Sequence, residues 1–422
     1  MDTGKLANWR GQIFTAAWFL YAGYYICRKD IAPGSGASAS HLAVSLACFG
    51  ATYAIGQVAG GILADRVGAR RTALTGAAIS IACTGLLAWY SRQPALALML
   101  QLGNGFGQGF GWPAMLKLIG CWFRRGERDR VLGWWSTSYI LGGLLATSLT
   151  AWLVVHAGVA ARTDFFPAHI VSSGVLLCGA VFFYKQTASP PRDEPAASAC
   201  PIPNAGQAQA WRKILGNRDI RVISTTYFFL KMTRYTLLFW LPLYLTSSIG
   251  ESQHSADHIA SYLELFGFLG PLAAGYAVQR WFGERRLALG TGMLFALAFV
   301  CLLHPVLATS GWFGMALSIS LIGILIYGAD VLLSAMAVLD AVPDELHGRA
   351  AGFVNGVGSV GQILSPFLVT VFVSRLGWNK LFDLFVCFSL AAGIVCALGA
   401  RRQTSPTPRP NRSILGTPEV RV

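Results

Sequence analysis

Charge is what this chain has least of. Asp, Glu, Lys and Arg make up only 12% of its 422 residues, whereas 54% are hydrophobic, and the mean hydropathy is +0.52. Soluble globular domains carry about 25% charged residues, so a water-soluble fold is excluded. Acidic groups are scarcer still, 19 against 33 Lys and Arg, which leaves a net charge of +14. Histidine is sparse and scattered. Only His254 and His258, at i and i+4 beside Asp257, resemble a ligand pair, and they fall in an external loop, so no metal is expected. The nine Cys lack metal-ligand spacing and are read as small apolar fillers. No nucleophile, base and orienting acid come together, which argues against an enzyme and against an organic cofactor. The glycines of GNGFGQGFGWP, residues 103–113, lie inside an apolar run, where they serve close helix approach rather than a nucleotide loop.

What fills the chain instead is hydrophobic length. Windows of roughly 20 residues without solvated charge fall at about 9–33, 42–64, 72–90, 95–121, 131–155 and 166–185, and again at about 220–246, 257–279, 286–305, 312–338, 349–373 and 381–400. The expectation is an all-α integral membrane protein of about twelve transmembrane helices in two pseudo-symmetric six-helix bundles. The bundles are placed at residues 1–185 and 220–400. Between them, 186–219 reads as a Pro- and Ala-rich cytoplasmic linker, and 401–422 as a disordered cytoplasmic tail, neither with the apolar content to fold. The first apolar segment runs into Arg28 and Lys29 rather than a small-residue cleavage site, and is expected to stay as the first span.

The basic residues explain themselves by position. Arg66, Arg70, Arg71, Arg124, Arg125, Arg128, Arg130, Arg280, Arg285 and Arg286 crowd into loops of one parity, against Arg92, Arg162, Arg375 and Lys380 in the loops of the other. The positive-inside rule then puts both termini in the cytoplasm. No soluble basic domain remains for nucleic acid.

The halves repeat each other. GGILADRVGARR at 60–71 returns as AGYAVQRWFGERR at 274–286, between the second and third spans of each half, so that Arg66 answers Arg280. Arg28 and Arg234 also occupy the first span of each half, inside apolar surroundings where an unmatched guanidinium costs several kcal/mol. Tyr21, Tyr25 and Arg28 share one helix face, and Lys231 and Arg234 another. Counting Arg28, Lys231 and Arg234 against Glu264 leaves two positive charges, which a dianion neutralises. Phosphate suits the Arg fork, and a dicarboxylate satisfies the same count.

The pattern Gly61, Asp65, Arg66, Gly68, Arg70 and Arg71 resembles the loop between the second and third spans of the major facilitator superfamily. The resemblance implies a gate in which Asp65 and the arginines Arg66, Arg70 and Arg280 pair with helix ends across the cytoplasmic face. The plainer alternative is that these residues only set topology. GYYICRKD at 23–30, QGFGWPAMLK at 108–117, WSTSYILGG at 135–143 and RYTLLFWLPLYL at 234–245 resemble, more narrowly, the organophosphate:phosphate antiporters. That family includes bacterial glycerol-3-phosphate and hexose-6-phosphate transporters and a receptor-like relative.

Carried over residue by residue, the resemblance implies phosphate binding by Arg28 and Arg234, cavity positions for Tyr21, Tyr25, Trp112 and Glu264, and a structural role for Lys117. The chain departs from the family at Gln57, in place of a cavity Lys, at Tyr139, in place of a cavity His, and at Lys231, in place of an aromatic residue. Lys231 is expected to restore the charge missing at Gln57. Asp330 is left with three readings: a salt-bridge partner for Lys231, a contact to a substrate amino group, or a proton carrier. The function implied is import of an organophosphate ester in exchange for inorganic phosphate. The alternatives are a sensor of phosphorylated sugar acting through a partner kinase and a proton-coupled carrier of another dianion. A monomer in contact with membrane lipid, in a bacterial inner membrane, is expected.

Overall fold

A computed structural model describes residues 3–29, 39–156, 166–187 and 206–403. The first half holds α1 (Thr3–Lys29), α2 (Ala39–Val67), α3 (Ala69–Tyr90), α4 (Pro94–Gly109), α5 (Gly111–Trp122), α6 (Arg125–His156) and α7 (Phe166–Gln186). A short α8 (Gln207–Gly216) precedes the second half. That half holds α9 (Arg218–Tyr244), α10 (Gln253–Leu265), α11 (Leu269–Ala277), α12 (Arg286–Thr309), α13 (Trp312–Val331), α14 (Ala337–Ala341), α15 (His347–Leu376) and α16 (Leu381–Gln403). No strand occurs among the described residues. Three spans are built from two helices each: α4 with α5, α10 with α11, and α13 with α14 through a π turn at Leu332–Met336. The result is the expected pair of six-span bundles.

Seven spans are long and apolar enough to cross a membrane on composition alone. The others fall short for physical reasons. α1 and α9 carry Arg28, Lys231 and Arg234, α6 starts among Arg125, Glu127, Arg128, Asp129 and Arg130, and the α4–α5 and α10–α11 spans are interrupted.

The halves meet along two related crossings, α2 on α15 and α6 on α11, each joining the second span of one half to the fifth of the other. Glycine makes both crossings possible. A methyl group at Gly352 would strike the Gln57 carbonyl, and one at Gly133 would stand 2.6 Å from the Pro271 carbonyl oxygen. Small residues at such sites let backbones touch, which matters where lipid removes the hydrophobic drive for helix association.

The linker is more ordered than its composition suggests. Although 186–219 was expected not to fold, α8 forms within it and buries Ala210 and Ile214. These positions lie at i and i+4, and Trp211 beside them meets Phe353 of α15 at 6.1 Å between rings, so a narrow apolar stripe suffices. Asn217 then caps α9, accepting from the Ile220 amide at 3.1 Å while donating to the Ala341 carbonyl at 2.7 Å. The rest of the linker, 188–205, and the tail from 404 lie outside the described residues. Cys121 is disulfide-bonded, a departure from the reading of every Cys as an apolar filler.

Overpacking a tight crossing costs about 1–3 kcal/mol. Gly352→Val is therefore expected to lower the thermal midpoint of the detergent-solubilised protein. Gly292→Val, where an added Cβ meets nothing within 4 Å, is expected to leave it in place.

Candidate functional site

Two helix faces bring the polar groups together. On α1, Tyr21, Tyr25 and Arg28 follow i, i+4, i+7, and on α9, Tyr227, Lys231 and Arg234 repeat that spacing, each set on one side of its helix. Between them lies a small cavity, with about 10 Å³ of room for the centre of a water-sized sphere. The first half contributes Tyr21, Tyr25, Tyr53, Trp112 and Tyr139 to its wall, and the second Tyr227, Lys231, Arg234, Tyr235, Asp330 and Asn355.

Asp330 sits at the centre of this wall and is 1% exposed. One carboxylate oxygen is 3.0 Å from Nη1 of Arg234 and accepts from the Tyr227 hydroxyl at 2.9 Å. The other accepts from the Tyr139 hydroxyl at 2.8 Å. Three donors converging on two oxygens suit an ionised, acceptor-only carboxylate. The π turn begins two residues later, and there Ser334 donates its hydroxyl to the Asp330 carbonyl at 2.6 Å. The Trp112 indole in turn donates to the Ser334 carbonyl at 3.3 Å.

Arg28 adjoins the cavity wall. Its Nη2 donates to the Tyr235 hydroxyl at 3.1 Å, and its guanidinium lies 4.1 Å from the centre of the Tyr53 ring. Lys231 donates to Ser359 Oγ at 3.0 Å and to the Asn355 carbonyl at 3.4 Å, with its ammonium 5.6 Å from the Tyr53 ring and 5.8 Å from the Tyr235 ring. Among the described residues, neither Arg28 nor Lys231 is paired with a carboxylate. Arg234 is so paired, and it also lies over Tyr327 at 4.7 Å and Tyr139 at 5.1 Å.

Several expectations need correcting. Asp330 pairs with Arg234 and not with Lys231, because the Lys231 ammonium is turned to α15 while Arg234, nearly one turn further along α9, reaches α13. Gln57 does not line the cavity. It is fully buried on the α2–α15 seam, and neither amide atom finds a hydrogen-bond partner. Glu264 is half-buried outside the wall, where the Tyr327 hydroxyl donates to it at 3.5 Å. The carboxylate that enters the charge balance of the cavity is thus Asp330.

A second polar cluster, where α2, α5 and α15 meet, is built around Asp65. Its two oxygens accept from the backbone amides of Gly348 and Arg349, at 3.0 Å each, at the start of α15. A carboxylate on a helix N-terminus meets both free amides and the positive end of the dipole. Lys117 completes the group, 3.2 Å from Asp65 and donating to the carbonyls of Asp344 and Glu345 at 2.8 and 3.0 Å. Arg286 of α12 holds Asp129 of α6 through two bonds of 3.1 and 2.7 Å and also pairs with Asp340.

The expected gating arginines lie elsewhere. Arg70 stays within the first half, donating to the Tyr184 carbonyl at 3.1 Å and lying over its ring. Arg66 is exposed and faces Gln207 of α8, and Arg280 is exposed with no ion pair among the described residues. Sequence reasoning also missed Tyr53, Tyr227, Tyr235 and Asn355. Three of them carried a signal: Tyr227 lies one turn before Lys231, Tyr53 one turn before Gln57, and Asn355 one turn before Ser359.

Comparison with known proteins follows the same lines. The sequence profile of the Major Facilitator Superfamily matches residues 13–329 and 223–420. The chain is 26% identical to the membrane sensor protein UhpC of Escherichia coli, over 95% of this chain and 94% of that one. It is 25% identical to the glycerol-3-phosphate transporter of Bacillus subtilis over 92% of each chain. With the glucose-6-phosphate exchanger SLC37A2 of Mus musculus it shares 25% identity over 82% of this chain and 76% of that one. Among solved structures, the proton:xylose symporter XylE superposes with a TM-score of 0.74 at 13% identity, covering 93% of this chain and 96% of that one. That likeness bears on the fold alone.

Removing one partner of a buried ion pair costs about 3–5 kcal/mol because it strands the other. A double-mutant cycle on thermal stability with Arg234→Gln and Asp330→Asn is expected to show strong coupling, with the double variant more stable than the sum of its singles. The same cycle with Lys231→Met and Asp330→Asn is expected to show clearly less.

Proposed function

The chain belongs to the Major Facilitator Superfamily, and from that premise we propose that it carries an organophosphate ester across the membrane in exchange for inorganic phosphate, by alternating access. The observation that carries this reading is the pair of cations without a carboxylate partner among the described residues, Arg28 from the first half and Lys231 from the second, which share the rings of Tyr53 and Tyr235. A phosphate dianion between them satisfies the planar donor fork of one and the point charge of the other. Arg234, whose charge Asp330 matches, still has a buried Nε without a partner and offers it as a donor. The aromatic wall of Tyr21, Tyr25, Trp112 and Tyr139 packs the organic part of the ester.

Exchange follows from electrostatics. Two unmatched cations facing each other across a closing cavity repel, and a bound dianion removes that cost. The loaded carrier therefore occludes and reorients more readily than the empty one. Asp65, Lys117 and the Arg286–Asp129 pair hold the cytoplasmic side shut and part when it opens. We assign the two moving bodies to residues 1–185 and 220–400, with 186–219 joining them and both termini cytoplasmic, and place the protein as a monomer in a bacterial inner membrane.

A second reading has a specific observation behind it, since one relative at 26% identity is named a membrane sensor. The same cavity would bind a phosphorylated sugar and signal through a partner kinase without transport. Proteoliposomes separate the two. Phosphate-loaded vesicles are expected to take up labelled phosphate by counterflow, and Arg28→Gln or Lys231→Met to slow it by about 30-fold or more, the consequence of losing a buried charge contact of 2–5 kcal/mol. Tight phosphate binding with no flux would instead establish the sensor.

A further inference from the structure

Lys231 and Arg234 line the cavity with one carboxylate, Asp330, and Arg28 stands against its wall beside Tyr53 and Tyr235, a ratio that has a consequence for what can enter. We infer that Asp330 sets the charge of the substrate, admitting phosphate monoesters whose organic part is uncharged and turning away those that carry an additional carboxylate. The inference rests on the proposed phosphate-ester reading and deepens it.

The argument is one of charge matching inside a poorly hydrated site. Arg28, Lys231 and Arg234 bring three positive charges, and Asp330, 3.0 Å from Arg234, takes one of them away. Asp330 is fixed, because the hydroxyls of Tyr139 and Tyr227 hold its two oxygens at 2.8 and 2.9 Å from opposite halves of the molecule. Those bonds hold it against Arg234. Two positive charges are then left for a ligand. A phosphate monoester, which carries close to two negative charges at neutral pH, brings the balance to zero. A third negative charge finds no free cation and meets the Asp330 carboxylate itself, and like charges brought together at a desolvated interface cost several kcal/mol.

A matched pair of ligands isolates the effect. Glycerol 3-phosphate and 3-phosphoglycerate share a three-carbon skeleton and a phosphate, and differ where one has a hydroxymethyl group and the other a carboxylate. Each competes with labelled inorganic phosphate for the purified full-length protein at about pH 8, where the monoester is fully ionised. For the unaltered protein, glycerol 3-phosphate is expected to compete about tenfold or more better than 3-phosphoglycerate. In Asp330→Asn the gap is expected to close or reverse, because three cations are then free. The variant Arg234→Gln combined with Asp330→Asn removes both members of the pair and leaves the count at two, so it is expected to keep the original preference even if both affinities fall. It also strands no buried charge, so it serves if Asp330→Asn alone does not yield a folded protein.

An unaltered protein that does not discriminate, an Asp330→Asn protein that still does, or a double variant that loses the preference would each overturn the role of Asp330. A failure to bind phosphate at all would bring down the functional reading itself, so the two failures are distinguishable.

Discussion

An ionised group inside a membrane-spanning bundle must find its complement within the protein, because neither water nor lipid supplies one. That constraint organises this molecule at two depths. At the cavity it fixes Asp330 between Arg234 and two tyrosine hydroxyls, which ties α6, α9 and α13 together. At one end of the bundle it fixes Asp65 between Lys117 and the first amides of α15, which ties α2, α5 and α15. Each group draws on both halves. Arg28 and Lys231, which have no carboxylate partner among the described residues, meet tyrosine rings and neutral acceptors instead.

The contact between the halves is as much shape as charge. Gly61, Gly348 and Gly352 let α2 and α15 meet backbone to backbone, and Gly133 and Gly275 do the same for α6 and α11. Along the first seam lies Gln57, buried with both amide atoms unpartnered. An unmet amide costs about 1–3 kcal/mol, so packing and polarity oppose each other at this crossing.

The architecture was legible in the sequence because hydrophobic length is a one-dimensional property. Twelve apolar runs, the repeat of 60–71 at 274–286 and the placement of arginines needed no knowledge of packing. Arg28, Arg234, Lys231 and Asp330 stood out for the same reason, as charges in the wrong solvent. What escaped was pairing. Sequence spacing says which residues share a face, but not which helix lies opposite, so Lys231 was one of three readings for the partner of Asp330, when the rotation of α9 gives it to Arg234. Tyr53, Tyr227 and Tyr235 were missed because an aromatic side chain in a span reads as lipid-facing filler until its hydroxyl is seen to be bonded or its ring to lie beneath a cation. The same limit applies to the loop motif. Arg70 and Arg280 belong to the repeat, whereas the ion pairs that join the halves among the described residues include Arg286, also of the repeat, with Asp129, and Arg128 with Asp344.

Asn217 gives α9 an unusual anchorage. The residue caps the helix and in the same stroke grips the last turn of α14, directly after α8 has been pressed onto the second half by Ala210, Ile214 and Trp211. Lys231 stands on that same rod about 21 Å further along, at 1.5 Å per residue. The foot of α9 is thereby tied to α14, so the register at which Lys231 meets α15 is set from outside the cavity, by one amide side chain.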